Sequence, residues 1–155
     1  MKKIIYEEET GIAVMTTTGE LTVEKTALKD VPYGRKFKII DASDLPQDRT
    51  FRGAWEFDFS KNYDGIGGQD NKNNKKNNQS MITINIDKAK NITKERLRIK
   101  RKLLLEAEDI KFMQAQETGS DTTAIVAEKK RLRDITKNVD SCTTTDELKA
   151  LSCTE

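Results

Sequence analysis

Histidine is absent from all 155 residues of this chain, which removes the commonest general base and every Ser-His or Cys-His pairing. Catalysis would have to rest on carboxylates or lysine. Cysteine is scarce too: Cys142 and Cys153 stand eleven residues apart near the C-terminus and form no Cys-x-x-Cys pair. With histidine also missing, no conventional zinc site is expected. No apolar run approaches the roughly 18 residues of a membrane span. The opening Met1 to Glu9 carries two lysines but only a short apolar stretch before three glutamates, so it is not read as a signal peptide. These absences predict a soluble, intracellularly made, non-enzymatic protein with no metal, no cofactor and no membrane partner. Both cysteines are expected reduced, as small buried or half-buried residues.

What is present is charge. Apolar residues make up 35% of the chain and charged residues another 35%, against about a quarter charged in an average domain. The core must therefore be thin, with much of the chain facing water or a partner. Lysine and arginine total 28 against 26 acidic residues, a formal charge of only +2. Bulk electrostatics thus gives no argument for nucleic acid, and any such case must come from local clustering.

Periodicity predicts an α+β chain: a small β-rich N-terminal head followed by a long C-terminal antiparallel helical hairpin. Lys3 to Tyr6 and Ile12 to Thr16 read as a hairpin around Glu7 to Gly11. Thr22 is placed to cap a short helix over Val23 to Lys29, with Pro32 as its stop. A third strand spans Lys36 to Asp41, and Pro46 pushes Leu45 away from helix in the turn that follows. Ala54 to Phe59 and Met81 to Ile86 alternate as strands that pair with each other. Between them Ser60 to Ser80, with its run QDNKNNKKNNQ, is too polar to offset its ordering entropy. The expected division is a head over residues 1–59, a flexible Asn/Lys-rich loop or linker over 60–80, and a strand with the helical hairpin over 81–155.

In the last third, Ile92, Ile99, Leu103, Ile110 and Met113 follow spacings of seven, four, seven and three, a heptad-like stripe widened by Leu104, Ala107 and Phe112. A helix from Asp87 to Glu117 would be roughly 45 Å long. Thr118 to Asp121 supplies a stop at Gly119 and a new cap at Ser120 or Asp121. Ile125, Leu132, Ile135 and Val139 then repeat the pattern, and Thr144 with Glu147 forms a capping-box signature for a last short helix.

Three local features bear on function. The basic run Lys88, Lys90, Lys94, Arg96, Arg98, Lys100, Arg101 and Lys102 offers Lys94, Arg98, Arg101 and Lys102 as phosphate contacts for nucleic acid. Against this, the same residues spread around the circumference as the solvated sides of a helix. Arg49 to Trp55 combines arginines with aromatics, the composition of interface hot spots; Trp55 is read as core, and Arg49 and Arg52 stay open as partner contacts. Gly65 to Gly68 lacks the lysine and helix of a phosphate-binding loop. Glu106, Glu108 and Asp109 have no metal or catalytic partner and are expected to pair with lysines such as Lys102.

Lys29 to Pro32, Asp44 to Trp55 and Thr143 to Lys149, in that order and with an Ile-x-Ile-Asp-x-Ala-Lys stretch at Ile84 to Lys90, resemble a group of small tailed-bacteriophage proteins associated with virion and tail-fibre regions. The likeness covers most of the chain outside Ser60 to Ser80, and its motifs are structural. In layout the chain also looks distantly similar to tail-fibre assembly proteins. The resemblance implies a virion or host-cytoplasm location during assembly and a structural or assembly role. Contacts would run through Ile92, Ile99, Leu103, Ile110, Met113, Ile125, Leu132, Arg49 and Arg52, to a second copy or to a tail, fibre or capsid protein. The alternatives are nucleic-acid association through Lys88 to Lys102 and a transient tail-fibre assembly chaperone.

Overall fold

The computed structural model describes residues 1–69 and 82–153. The fold is α+β, and the chain divides into two compact units, Met1–Asn85 and Ile86–Glu155.

The first unit is built on an antiparallel sheet. Strand β1 (Lys2–Glu8) turns tightly into β2 (Gly11–Met15) with Glu8 opposite Gly11. Helix α1 (Val23–Asp30) is capped by the Thr22 hydroxyl, which accepts from the Lys25 N–H, and leads to β3 (Lys36–Asp41). After two single-turn 3-10 segments, Ala42–Asp44 and Arg52–Ala54, come β4 (Trp55–Glu56), β5 (Gly65–Ile66) and β6 (Thr83–Ile84). The sheet runs β2-β1-β3-β5, and β4 pairs separately with β6. As expected, Leu45 is extended ahead of Pro46.

Central strand β1 buries both Ile4 and Ile5, whose side chains point to opposite faces, because both faces of the sheet are covered. On one side Ile4 and Phe37 pack with Ala27 and Val31 from α1 and its C-terminal end. On the other, Ile5 and Ile40 pack under Leu45, Trp55, Phe59 and Tyr63. That second layer contains little regular structure, yet it carries the only tryptophan of the chain.

The strand expected over Ala54 to Phe59 is two residues long, because the Asp58 carboxylate accepts from the Ser60 N–H and hydroxyl and turns the chain. Its pairing partner is the one expected: Trp55 lies opposite Ile84 and Glu56 opposite Thr83. That partner strand is shorter than anticipated, since Ile86 already opens a helix; Met81 lies outside the described residues.

The boundary set at residue 59 needs correction. Residues 60–69 belong to the head: Asn62 and Tyr63 are buried, and Gly65 and Ile66 pair with Phe37 and Lys36. Asp64 completes the edge of β3, accepting from the Ile39 N–H at 2.8 Å and from Lys38 Nζ at 3.0 Å. Residues 70–80 of the expected linker lie outside the described residues.

The second unit begins with α2 (Ile86–Thr118), 33 residues and therefore about 50 Å long. It ends in a Schellman cap: Gly119 has φ +66°, its N–H donates to the Gln116 carbonyl, and the Ser120 N–H donates to the Ala115 carbonyl. Asp121 accepts from the Thr123 N–H and hydroxyl and starts α3 (Thr123–Asp134). Helix α3 runs back along α2, with Lys129 paired to Asp109 and Arg101 reaching Arg133. The helix expected to continue through Val139 breaks instead into a 3-10 turn (Ile135–Lys137) and α4 (Asn138–Ser141), followed by α5 (Thr145–Ala150). Thr144 and Glu147 form the anticipated capping box. Cys142 and Cys153 are free and buried, as expected.

Candidate functional site

Helix α2 has two apolar faces. At about 100° per residue, Thr93, Leu97, Leu104 and Glu108 fall on one side, and Ile92, Ile99, Leu103 and Ile110 lie within about 40° of each other on roughly the opposite side. The first side packs against the rest of the unit, with Ala89, Thr93 and Leu97 buried and the Thr93 hydroxyl donating to the Ala89 carbonyl at 2.9 Å. The second side faces outward: Ile99 and Leu103 are each 71% exposed, Ile110 52% and Met113 55%. The heptad-like stripe is therefore not the hairpin seam. Its members are free for contact, apart from Ile92, which is half-buried. Of the candidates on α3, Ile125 is half-buried and Leu132 is buried, so Leu132 holds the unit together and is corrected from a partner contact to a core residue.

The basic run has an internal role that composition concealed. Lys90 Nζ donates to the Asp140 carbonyl at 3.1 Å, at the end of α4. Arg96 Nη2 donates to the carbonyls of Leu148 and Leu151 at the end of α5, at 2.9 and 3.3 Å. Arg101 Nη1 donates to the Arg133 carbonyl in the last turn of α3, at 2.9 Å. Three cations of one helix thus satisfy the terminal carbonyls of three others, where the helix dipoles favour positive charge. Lys94 pairs with the Asp140 carboxylate at 2.7 Å, and Arg98 pairs with Glu95. Of the four phosphate-contact candidates, Lys94 and Arg101 are thus engaged within the unit, Arg98 is exposed beside its glutamate, and Lys102 is exposed. At about 100° per residue the four share one side of the helix, but the two engaged ones are not free for phosphate.

Two acidic residues further along α2 pair with lysines, as expected, though not with Lys102 itself. Glu108 pairs with Lys111 and Asp109 with Lys129, both at 2.5 Å, rather than with Lys102.

Carboxylates fix the helix ends. Hydrogen bonding to Lys94 holds Asp140 below the ordinary aspartate range, the Thr123 hydroxyl does the same for Asp121, and the Thr143 and Thr144 N–H groups do so for Glu147. A carboxyl depressed in the folded state stabilises above its unfolded pKa, and that contribution is lost as pH falls through the folded value. With no histidine to titrate in between, the thermal midpoint of the helical unit, followed by circular dichroism, should be level from about pH 5 to 7 and fall below about pH 4. A midpoint that declines between about pH 7 and 5 would contradict this assignment.

In the head, Arg49 and Arg52 are exposed on the segment that precedes β4, with the Arg52 N–H donating to the Arg49 carbonyl at 3.1 Å. Phe51 and Ala54 anchor that segment in the interior, and Trp55 is 2% exposed, a core residue as the sequence suggested. Gly65 to Gly68, dismissed as a phosphate loop, serves as an edge strand and its following turn. Among the described residues no group of three or more cysteines and carboxylates is placed to hold a metal ion, and no helix is long and apolar enough to cross a membrane. Comparison of the chain with family models, with curated proteins and with solved structures finds no match.

Proposed function

We propose that this chain is a non-enzymatic structural or assembly protein of a tailed bacteriophage, associated with the virion or tail-fibre region, that works by pairing its α2 antiparallel with α2 of a second copy. The observation that carries the reading is the outward stripe Ile99, Leu103, Ile110 and Met113. Large apolar side chains aligned on one face over about 20 Å are the mark of an interaction surface.

Charge along α2 selects the occupant. Residues 86–102 hold eight basic and two acidic side chains, whereas residues 103–118 hold four acidic and one basic. A parallel neighbour would set like halves together. An antiparallel copy sets the basic half of each helix beside the acidic half of the other, which favours both orientation and encounter. The phage assignment rests on the resemblance in the four segments quoted above.

Sedimentation equilibrium tests the pairing. The chain should be a dimer that weakens as salt is raised, and Leu103→Glu with Ile110→Glu should give a monomer of unchanged helical content, since both side chains are exposed. A wild-type chain that remains monomeric at on the order of 100 μM would refute it. Mass spectrometry of purified particles tests the setting: fixed stoichiometry marks a built-in component, whereas expression in infected cells without incorporation marks a transient assembly chaperone.

A further inference from the structure

The head contains a small pocket of about 120 Å³ walled by Leu45, Val14 and Trp55 and rimmed by Lys3, Arg49, Arg52 and Thr16. Its chemistry is one-sided. Three of the lining residues are cations and none is a carboxylate. Among the described residues no ion pair engages Arg49 or Arg52, unlike the basic residues of α2 that pair with carboxylates or carbonyls. Lys3 Nζ donates to the Thr16 hydroxyl oxygen at 2.7 Å, which holds the ammonium at the rim and leaves the hydroxyl proton to be donated.

Trp55 contributes wall surface to the pocket. Its side chain is buried, and its indole N–H has no acceptor among the described residues. That nitrogen is itself sealed from solvent, so it is not open to an occupant of the pocket. The lining therefore offers two guanidinium groups, an ammonium and a hydroxyl proton, and no carboxylate to accept a hydrogen bond in return. A cation is repelled, and water would bring two protons that need acceptors. An oxyanion, which only accepts, matches the set. The volume accommodates one carboxylate or phosphate group.

We propose that Arg49, Arg52 and Lys3 form a binding site for a small oxyanion, a carboxylate or a phosphate group. The site is separate from the α2 stripe and stands whether or not that stripe pairs. The two arginines come to one rim because the 3-10 turn Arg52–Ala54 folds back on Arg49 between the buried anchors Phe51 and Ala54. Exposed guanidinium groups over a rigid, apolar floor suit bidentate capture of such a group.

Trp55 is the only tryptophan, so the full-length chain gives a single indole N–H resonance and a single emission spectrum. Each can be followed while sodium acetate, sulfate and inorganic phosphate are titrated in at constant ionic strength against sodium chloride. The expected result is a saturable shift of the indole resonance with a dissociation constant on the order of 1 mM. Arg49→Gln and Arg52→Gln should each weaken that binding at least tenfold while leaving the rest of the spectrum in place, since both side chains are exposed. Saturation by acetate assigns the site to carboxylates, such as a side chain or C-terminus of another protein, and saturation by phosphate or sulfate alone assigns it to tetrahedral anions. A response that is absent, that grows linearly like that to chloride, or that persists in both variants would overturn the proposal.

Discussion

Leu97→Ala is expected to destabilise the helical unit by about 2–5 kcal/mol, whereas Leu103→Ala, six residues further along the same helix, should change it by less than about 0.5 kcal/mol. Leu97 is 0% exposed and is the one large apolar side chain of the α2 seam that is wholly buried. Removing three carbons there leaves a cavity in the packed seam. Leu103 lies on the outward stripe and loses little on truncation in the monomer. Urea unfolding followed at 222 nm checks both, at a concentration low enough to keep the chain monomeric. Equal effects would mean that the two faces of α2 have been assigned the wrong way round.

Gly67→Ala is expected to destabilise the head by about 3 kcal/mol or more, from overpacking rather than backbone torsion. A Cβ built on Gly67 would lie 2.4 Å from the Val31 carbonyl oxygen and 2.5 Å from that of Pro32. Both belong to backbone that cannot swing aside. The Gly67 N–H donates to the Arg35 carbonyl at 2.9 Å, and its carbonyl accepts from the Gly34 N–H at 3.0 Å, so the segment cannot retreat without breaking that pair. Trp55 and all three tyrosines lie within residues 1–85, so emission reports the head and the 222 nm signal chiefly the helices. In the Gly67→Ala chain the emission transition should move to lower urea with the helical transition unmoved. An unshifted emission midpoint would show that residues 65–68 do not close onto the turn after α1.

These two positions also show where the sequence could and could not be read. The β1–β2 hairpin, α1 with its Thr22 cap, β3, and the Gly119 stop were legible because each carries a local signal: alternation, a capping hydroxyl, proline or glycine. The inner seam of α2 was not, because Thr93, Arg101 and Glu108 share it with Leu97. A search for apolar repeats settles on the richer stripe through Ile99 and Leu103, which faces the other way. Residues 60–69 were hidden for a similar reason. Their place in the head depends on Tyr63, Ile66 and backbone hydrogen bonds that no composition count registers. The pairing of β4 with β6 was foreseen, but its length was not, since the Asp58 turn acts against the alternation of Phe57 and Phe59. For the site, Arg49 and Arg52 were picked out by residue type, yet the pocket needs Lys3 and Thr16 from β1 and the end of β2, residues more than thirty positions away in sequence that only the sheet brings beside them.

The cation staples from α2 bear on the order in which the chain acquires its form. Segments α3, α4 and α5 have 12, four and six residues, at or below the length at which a lone helix holds together in water. Their terminal carbonyls find Arg101, Lys90 and Arg96 only on a helix already wound. Because synthesis runs from the N-terminus, α2 leaves the ribosome first and is available as a template before any of its three dependants is complete. The growing chain thus carries its scaffold ahead of the pieces that need it.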